Sequence, residues 1–248
     1  RKSWDLDSVS TPMVTALGDM ATIPSLLLAS FLLEAPAANA VASTLLVAVA
    51  LYAAARSYTT DVPGVRRIAI EMTPVILLTP ILDILAGGLL QSHEVQLFAF
   101  PAVLAIVPPF ISQAGALGGI FSSRVSSKLH LGVIEPRTWP ELPALVDAAL
   151  VAGAGVVVFT FIGAAAYGLA VLTNLDTPGA WPMIGGTLLA GAMTIPLTLV
   201  VSYEIAIFTS RFGLDPDNHG VPIITSVMDL SGVAAFLVAM TVVGVTGG

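Results

Sequence analysis

Long apolar runs recur along this chain of 248 residues, and they constrain its fold more than any other feature. A helix needs about 20 apolar residues to cross a bilayer core of about 30 Å, and a spanning segment must satisfy its backbone hydrogen bonds internally. The alternation typical of membrane-spanning strands is absent. The sequence therefore predicts an all-α polytopic membrane protein. We predict seven spans, at 12–33, 38–55, 68–90, 97–122, 144–173, 181–208 and 221–246.

The composition agrees with membrane embedding and excludes several classes of protein. Hydrophobic residues make up 56% of the chain and charged residues only 10%, whereas a soluble domain carries about 25% charged residues. This excludes an ordinary soluble enzyme and a disordered chain, and the net charge of −7 would repel nucleic-acid phosphates. With no cysteine and three scattered histidines, the sequence also lacks thiolate chemistry and the ligands of a zinc or haem cluster.

The basic residues predict the orientation of the spans. In a seven-span chain all nine Lys and Arg fall on one side of the membrane, and adding or removing a span would scramble this segregation. By the positive-inside rule, the N-terminus is predicted to be cytoplasmic and the C-terminus outside. The nine residues are Arg1, Lys2, Arg56, Arg66, Arg67, Arg124, Lys128, Arg137 and Arg211.

A repeated pattern links the two ends of the chain. Segment 5–19 reads DLDSVSTPMVTALGD and segment 215–229 reads DPDNHGVPIITSVMD. Both segments enter the membrane from the predicted cytoplasmic side, which is typical of parallel repeats. A proline suits the first helical turn, so each last Asp is expected about 10 Å further along its helix. The identical pairs are Asp5/Asp215, Asp7/Asp217, Pro12/Pro222, Thr15/Thr225 and Asp19/Asp229.

Two membrane-embedded carboxylates at equivalent positions need an explanation, because each costs about 2.5–3.5 kcal/mol on insertion scales. One interpretation is that each Asp is protonated and holds helices together by hydrogen bonds. The other is that Asp19 and Asp229 face one water-filled pathway, where a mobile cation offsets their repulsion. With Thr15 and Thr225 one turn away, the oxygen ligands favour Mg²⁺, with Mn²⁺ and Ca²⁺ as alternatives.

The two blocks resemble the last transmembrane helix of the MgtE family of magnesium channels and transporters. They are most similar to its two-repeat solute-carrier relatives, which share a D-P-D-N…P…G-D-L pattern. Segments 123–126 (S-R-V-S) and 129–132 (L-H-L-G) resemble a stretch that follows a pore-lining helix in those relatives. The similarity spans most of 68–248, together with 5–33.

The resemblance implies a domain organisation. Residues 1–33 would hold the last helix of a first MgtE-like repeat, 34–67 a linker helix and cytoplasmic loop, and 68–248 a complete five-helix repeat. Four helices of the first repeat would then be missing from this sequence. A gene fragment, a proteolytic product, and a chain that completes itself as a homodimer are the alternatives.

The resemblance also implies site residues. In the family the Asp of the last helix binds Mg²⁺ in the central pore, which carries over to Asp19 and Asp229. Thr15 and Thr225 would line the same path, with Thr11 at the entrance. At the equivalent entrance position of the second block, where the family often has Asn, this sequence has Val221; segment 114–119 (A-G-A-L-G-G) likewise lacks the Asn of a G-N pair found in the family.

Several further residues are candidates for the pathway or its cytoplasmic vestibule, and each has a structural alternative. Asp83, deep in its span, would gate the path or bind polar groups on neighbouring helices. Glu71 and Glu204 would form a vestibule or lie solvated at the interface. Asp215 and Asp217 would form a cation-attracting rim or cap a helix.

Gly115, in a GxxxG motif with Gly119, would line the pore or permit close helix packing. Asp147 is predicted to be stabilised by a helix N-terminus.

The sequence therefore predicts a transporter of divalent cations in the cell membrane, with Mg²⁺ as the favoured ion, and not an enzyme. Its richness in alanine, valine and glycine favours a prokaryotic source. A proton- or sodium-coupled carrier of another solute is the alternative. An intramembrane aspartyl protease is more remote, because segment 16–19 (A-L-G-D) lacks the first glycine of the G-x-G-D motif.

Overall fold

The structure is a computed structural model that describes residues 6–33, 35–62 and 64–245. Within these ranges the side chains at 6–12, 14–16, 19, 23, 32, 96, 98 and 217 are not described. The described residues form helices and connecting loops, without strands. The helices are α1 (Leu6–Leu33), α2 (Pro36–Thr59), α3 (Val65–Gln91), α4 (Glu94–Phe98), α5 (Pro101–Leu104), α6 (Val107–His130), α7 (Leu142–Thr173), α8 (Ala180–Phe212) and α9 (Pro216–Val242).

The helices confirm the predicted all-α membrane architecture. In the described part of the chain, six helices are long and apolar enough to cross a membrane: α2, α3, α5 with α6, α7, α8 and most of α9. The first predicted span lies within α1, whose apolar stretch Met20–Phe31 is shorter. The orientation of the spans relative to the cytoplasm stays a prediction.

The predicted span 97–122 is not one helix. It is divided into α4, α5 and α6, and prolines stand in the first turns of α5 and α6. Pro101, Pro108 and Pro109 lack the amide hydrogen that would continue a preceding helix, so each new helix starts where a proline is tolerated.

The packed centre of the molecule consists of α6, α8 and α9. Helix α7 packs on α8, α3 on α9, α1 on α6 and α2 on α3. The rings of Phe110, Phe159 and Phe236 are fully buried, and the Phe110 centroid lies 4.7 Å from that of Phe159 and 5.6 Å from that of Phe236. By contrast, α2 has no buried residue and α3 has only Val75 and Ala86.

Glycines set the register of the central helices. A Cβ at Gly118 would lie 2.5 Å from Ile224 Cγ2 and 2.9 Å from Ser202 Oγ, so α6, α8 and α9 meet there at backbone distance. Towards the other end of the same pair, Gly232 of α9 faces Ile111 of α6. Helices α6 and α9 are therefore antiparallel.

Helix α9 begins earlier in the chain than predicted, because the prediction placed Pro222 in its first turn. Pro222 lies inside the helix, and Pro216 opens it. Asp229 is the fourteenth of the 27 residues of α9, and Asp19 is the fourteenth of the 28 residues of α1. Each Asp is therefore about 20 Å from the start of its helix, instead of the predicted distance of about 10 Å. For Asp229 this is the middle of a helix that is long and apolar enough to cross a membrane.

Candidate ion pathway

A cavity of about 670 Å³ lies beside Asp229. Three helices form its wall, and together they bring one carboxylate, several hydroxyls and a glycine to one place. Its lining residues are Thr22 of α1, Pro108, Pro109, Ile111, Ser112 and Gly115 of α6, and Val221, Pro222, Thr225 and Asp229 of α9.

Asp229 reaches this cavity because α9 presents a polar face to α6. Thr225 precedes it by one turn and lines the same wall, and both side chains are half-buried. The Thr225 hydroxyl donates to the carbonyl of Pro222 at 2.9 Å, which leaves the oxygen lone pairs as acceptors for a ligand. The register of α6 against α9 brings Ser112 to the level of Asp229. A carboxylate and two hydroxyls thus line one side of the cavity.

Gly115 both lines the cavity and permits close packing. A Cβ added there would lie 3.1 Å from Thr225 Cγ2 and 3.4 Å from Thr225 Cα. The absence of a side chain lets α6 approach the turn of α9 that precedes Asp229, and it leaves open space in front of that turn. The two interpretations of this glycine are therefore compatible.

Helix α1 contributes Thr22 to the same wall. Asp19 lies three residues earlier on α1, within the helix, but its side chain and those of Thr11 and Thr15 lie outside the described residues. The structure thus brings the helix that carries Asp19 to the cavity of Asp229.

Two of the predicted vestibule residues lie where α3 meets the start of α9. Glu71 accepts a hydrogen bond from Arg67 Nε at 2.6 Å and another from Asn218 Nδ2 at 3.2 Å, so it joins α3 to α9. Asp215 lines a separate cavity of about 340 Å³ together with Arg67 and His130. The side chain of Asp217 lies outside the described residues.

Asp83 and Glu204 do not line the cavity of Asp229. Asp83 is exposed on α3, and Glu204 lines a third cavity, of about 610 Å³, beside Trp139 and Tyr203. Among the residues that the structure describes, no group of three or more His, Asp or Glu side chains could hold a metal ion. From the described residues, an ion at Asp229 would find its other ligands among hydroxyls, backbone carbonyls and water.

Sequence reasoning missed an ion-paired cluster beside the C-terminal end of α6. Asp147, in the second turn of α7, is only 2% exposed. It lies 2.9 Å from Arg124 Nη2 and 2.5 Å from Lys128 Nζ, and the latter also donates to the Pro143 carbonyl at 2.7 Å. Arg124 and Lys128 are one turn apart on α6, and that spacing is the signal that could have found the pair.

Comparison with known proteins relates the chain to membrane transporters. A family model described as "MgtE: Divalent cation transporter" matches residues 107–239, which include α6, α7, α8 and most of α9. Solute carrier family 41 member 3 of Mus musculus is 25% identical over 243 residues, which are 91% of this chain and 49% of that protein. The Rattus norvegicus protein of the same name is 25% identical over 158 residues, 59% of this chain and 34% of that protein. The chain thus spans at most about half the length of these relatives, and no solved structure matches it.

Proposed function

The chain belongs to the MgtE divalent cation transporter family, and from that premise we propose that it carries Mg²⁺ across the cell membrane along the cavity beside Asp229. The observation that supports this most is the position of Asp229 at the middle of a membrane-crossing helix, on the wall of a cavity. An ionised carboxylate at that depth costs about 2.5–3.5 kcal/mol. A divalent cation in the cavity would offset this cost.

The ligand chemistry favours Mg²⁺ over a fully dehydrated ion. Mg²⁺ keeps several waters and binds one or two carboxylates. A cavity of about 670 Å³ has room for an ion together with its first shell of waters. Asp229 would hold the hydrated ion while the hydroxyls of Thr225 and Ser112 bind its water shell. Mn²⁺ and Ca²⁺ take the same oxygen ligands and are the competing ions.

Asp19 is proposed as a second carboxylate on this path. It occupies the same position in α1 that Asp229 occupies in α9, and Thr22 of α1 already lines the cavity. Thr15 would then correspond to Thr225, and Thr11 would lie nearer the entrance. Glu71, Asp215 and Asp217 would attract cations at the start of α9. Asp83 and Glu204 are left out of the path because they lie elsewhere on the bundle.

The test is Mg²⁺ flux into proteoliposomes that contain the purified chain. Asp229→Asn and Asp19→Asn keep the shape of the side chain and remove its charge, and each is expected to lower the flux at least tenfold. Asp176→Asn is the matched control, because Asp176 is an exposed acid between α7 and α8. The control should match the parent. Parent-like flux in both pathway variants, with unchanged thermal stability, would show that the site is assigned wrongly.

A solute carrier coupled to protons or sodium would use the same carboxylates. The same vesicles distinguish it, because an imposed Na⁺ or proton gradient would drive its transport in the absence of Mg²⁺.

A further inference from the structure

The third cavity, of about 610 Å³, is not explained by cation transport. It lies between the loop that joins α6 to α7, the start of α7 and the second half of α8. Its volume is within the range of small-molecule sites, about 300–1,000 Å³. Its wall is mostly apolar or aromatic, with Trp139, Leu145, Ala148, Leu199 and Val200 among the lining residues.

The cavity faces outward from the bundle, and we expect it to lie near the level of the lipid headgroups. Leu145 is 49% exposed, Val200 61% and Trp139 84%, so the wall faces outward from the bundle. Helix α8 has 33 residues, about 50 Å, which exceeds a hydrocarbon core of about 30 Å. Glu204 lies eight residues before the end of α8, about 12 Å from that end. A tryptophan beside it is typical of the membrane interface.

Glu204 supplies the cavity with a carboxylate. Glu204 is exposed, and it has no hydrogen-bond or ion-pair partner among the described residues. The hydroxyl of the neighbouring Tyr203 already donates to the Arg137 carbonyl at 2.9 Å. A carboxylate beside an indole ring and an apolar wall suits a ligand with an ammonium group and a hydrocarbon chain.

The loop side of the cavity is held in place before any ligand arrives. Arg211 donates to the Pro136 carbonyl at 2.8 Å, and Tyr203 and Lys128 donate to the carbonyls of Arg137 and Pro143. The segment that carries Trp139 is therefore fixed at both ends.

We infer that this cavity binds the headgroup and upper acyl chain of a phospholipid that carries a primary ammonium. The ammonium donates to Glu204 and contacts the face of Trp139. The acyl chain packs on Leu199 and Val200, and the phosphate lies between this chain and the ammonium. An anionic lipid without the ammonium leaves the carboxylate unpaired and is repelled by it.

The test is native mass spectrometry of the purified chain with equimolar phosphatidylethanolamine and phosphatidylglycerol of identical acyl chains. The parent is expected to retain the ethanolamine lipid at least tenfold over the glycerol lipid, and Glu204→Gln should lose this preference. Ala148→Trp fills the apolar wall and should lower retention of both lipids. Glu135→Gln is the matched control, because Glu135 is an exposed acid on the same loop, and it should keep the preference.

Equal retention of the two lipids by the parent, or an unchanged preference in Glu204→Gln, would overturn the inference. Asp229→Asn should bind the ethanolamine lipid as the parent does. The proposed lipid site can therefore be contradicted without contradicting the proposed transport site, and the reverse also holds.

Discussion

Asp147 is the buried acid on which the packing of α6 against α7 most depends. It is 2% exposed, whereas its partners Arg124 and Lys128 are 28% and 23% exposed at their side chains. Removing the charge of a buried pair costs about 3–5 kcal/mol, because the partner charges lose their compensation. Since the two cations here are partly solvated, the lower end of that range applies.

We therefore predict that Asp147→Asn lowers the free energy of unfolding by about 3 kcal/mol. At this chain length that corresponds to a fall of roughly 6–12 °C in Tm. Thermal unfolding in detergent, followed by circular dichroism, measures it. Glu135→Gln removes an exposed acid that lies 2.7 Å from Arg137, and it should leave the Tm unchanged. A Tm equal to the parent's in Asp147→Asn would show that the cluster does not stabilise the fold.

The contrast between Asp229 and Asp147 shows what the sequence reveals at the scale of single residues. The position of Asp229 on a polar face follows from its spacing to Thr225 and from the repeat in α1, which are local patterns. The pairing of Asp147 depends on which face of α6 meets α7, and that is a property of the packed bundle. The sequence therefore indicated a role for the helix N-terminus and missed the two cations.

At the scale of helices, most helix boundaries could be predicted from the sequence, because the length of an apolar run is a local property of the chain. The predicted 144–173 and 181–208 became α7 (Leu142–Thr173) and α8 (Ala180–Phe212). The errors occurred at prolines. Proline is compatible with a helix start and with a position inside a helix, and Pro222 lies inside α9.

The contact between α6 and α9 can be tested at Gly115. We predict that Gly115→Ala lowers Mg²⁺ flux several-fold, because the new Cβ would lie 3.1 Å from Thr225 Cγ2 and would push apart the wall beside Asp229. Thr225→Ser removes that methyl and keeps the hydroxyl, so the double variant should recover most of the flux. Such coupling between contacting residues is typically 0.5–3 kcal/mol.

The measurement is a double-mutant cycle. It compares Mg²⁺ flux into proteoliposomes for the parent, the two single variants and the double variant. Gly153→Ala is the matched control, because nothing lies within 4 Å of a Cβ at that glycine of α7. Additive effects of the two substitutions would show that the contact does not shape the pathway.

At the scale of the whole molecule, α3 is the helix whose surroundings are incomplete. It packs on α9 and α2, but its outer face is exposed. Leu77 is 70% exposed and Ile84 is 73% exposed. Asp83, also exposed, has no hydrogen-bond or ion-pair partner among the described residues. A carboxylate that faces lipid is costly, so this face is better explained by protein or water than by acyl chains.

A homodimer whose interface lies on this face predicts that Leu77→Cys and Ile84→Cys each form covalent dimers in membranes. The parent has no cysteine, so each variant reports on one position, and a symmetric interface brings equivalent residues together near its axis. The measurement is the fraction of dimer after treatment with a short bis-maleimide. Leu172→Cys is the matched control, because Leu172 is 82% exposed near the end of α7, away from α3. Dimer yields from α3 no higher than those from Leu172→Cys, at the same protein-to-lipid ratio, would contradict an interface on α3 and leave Asp83 to face water.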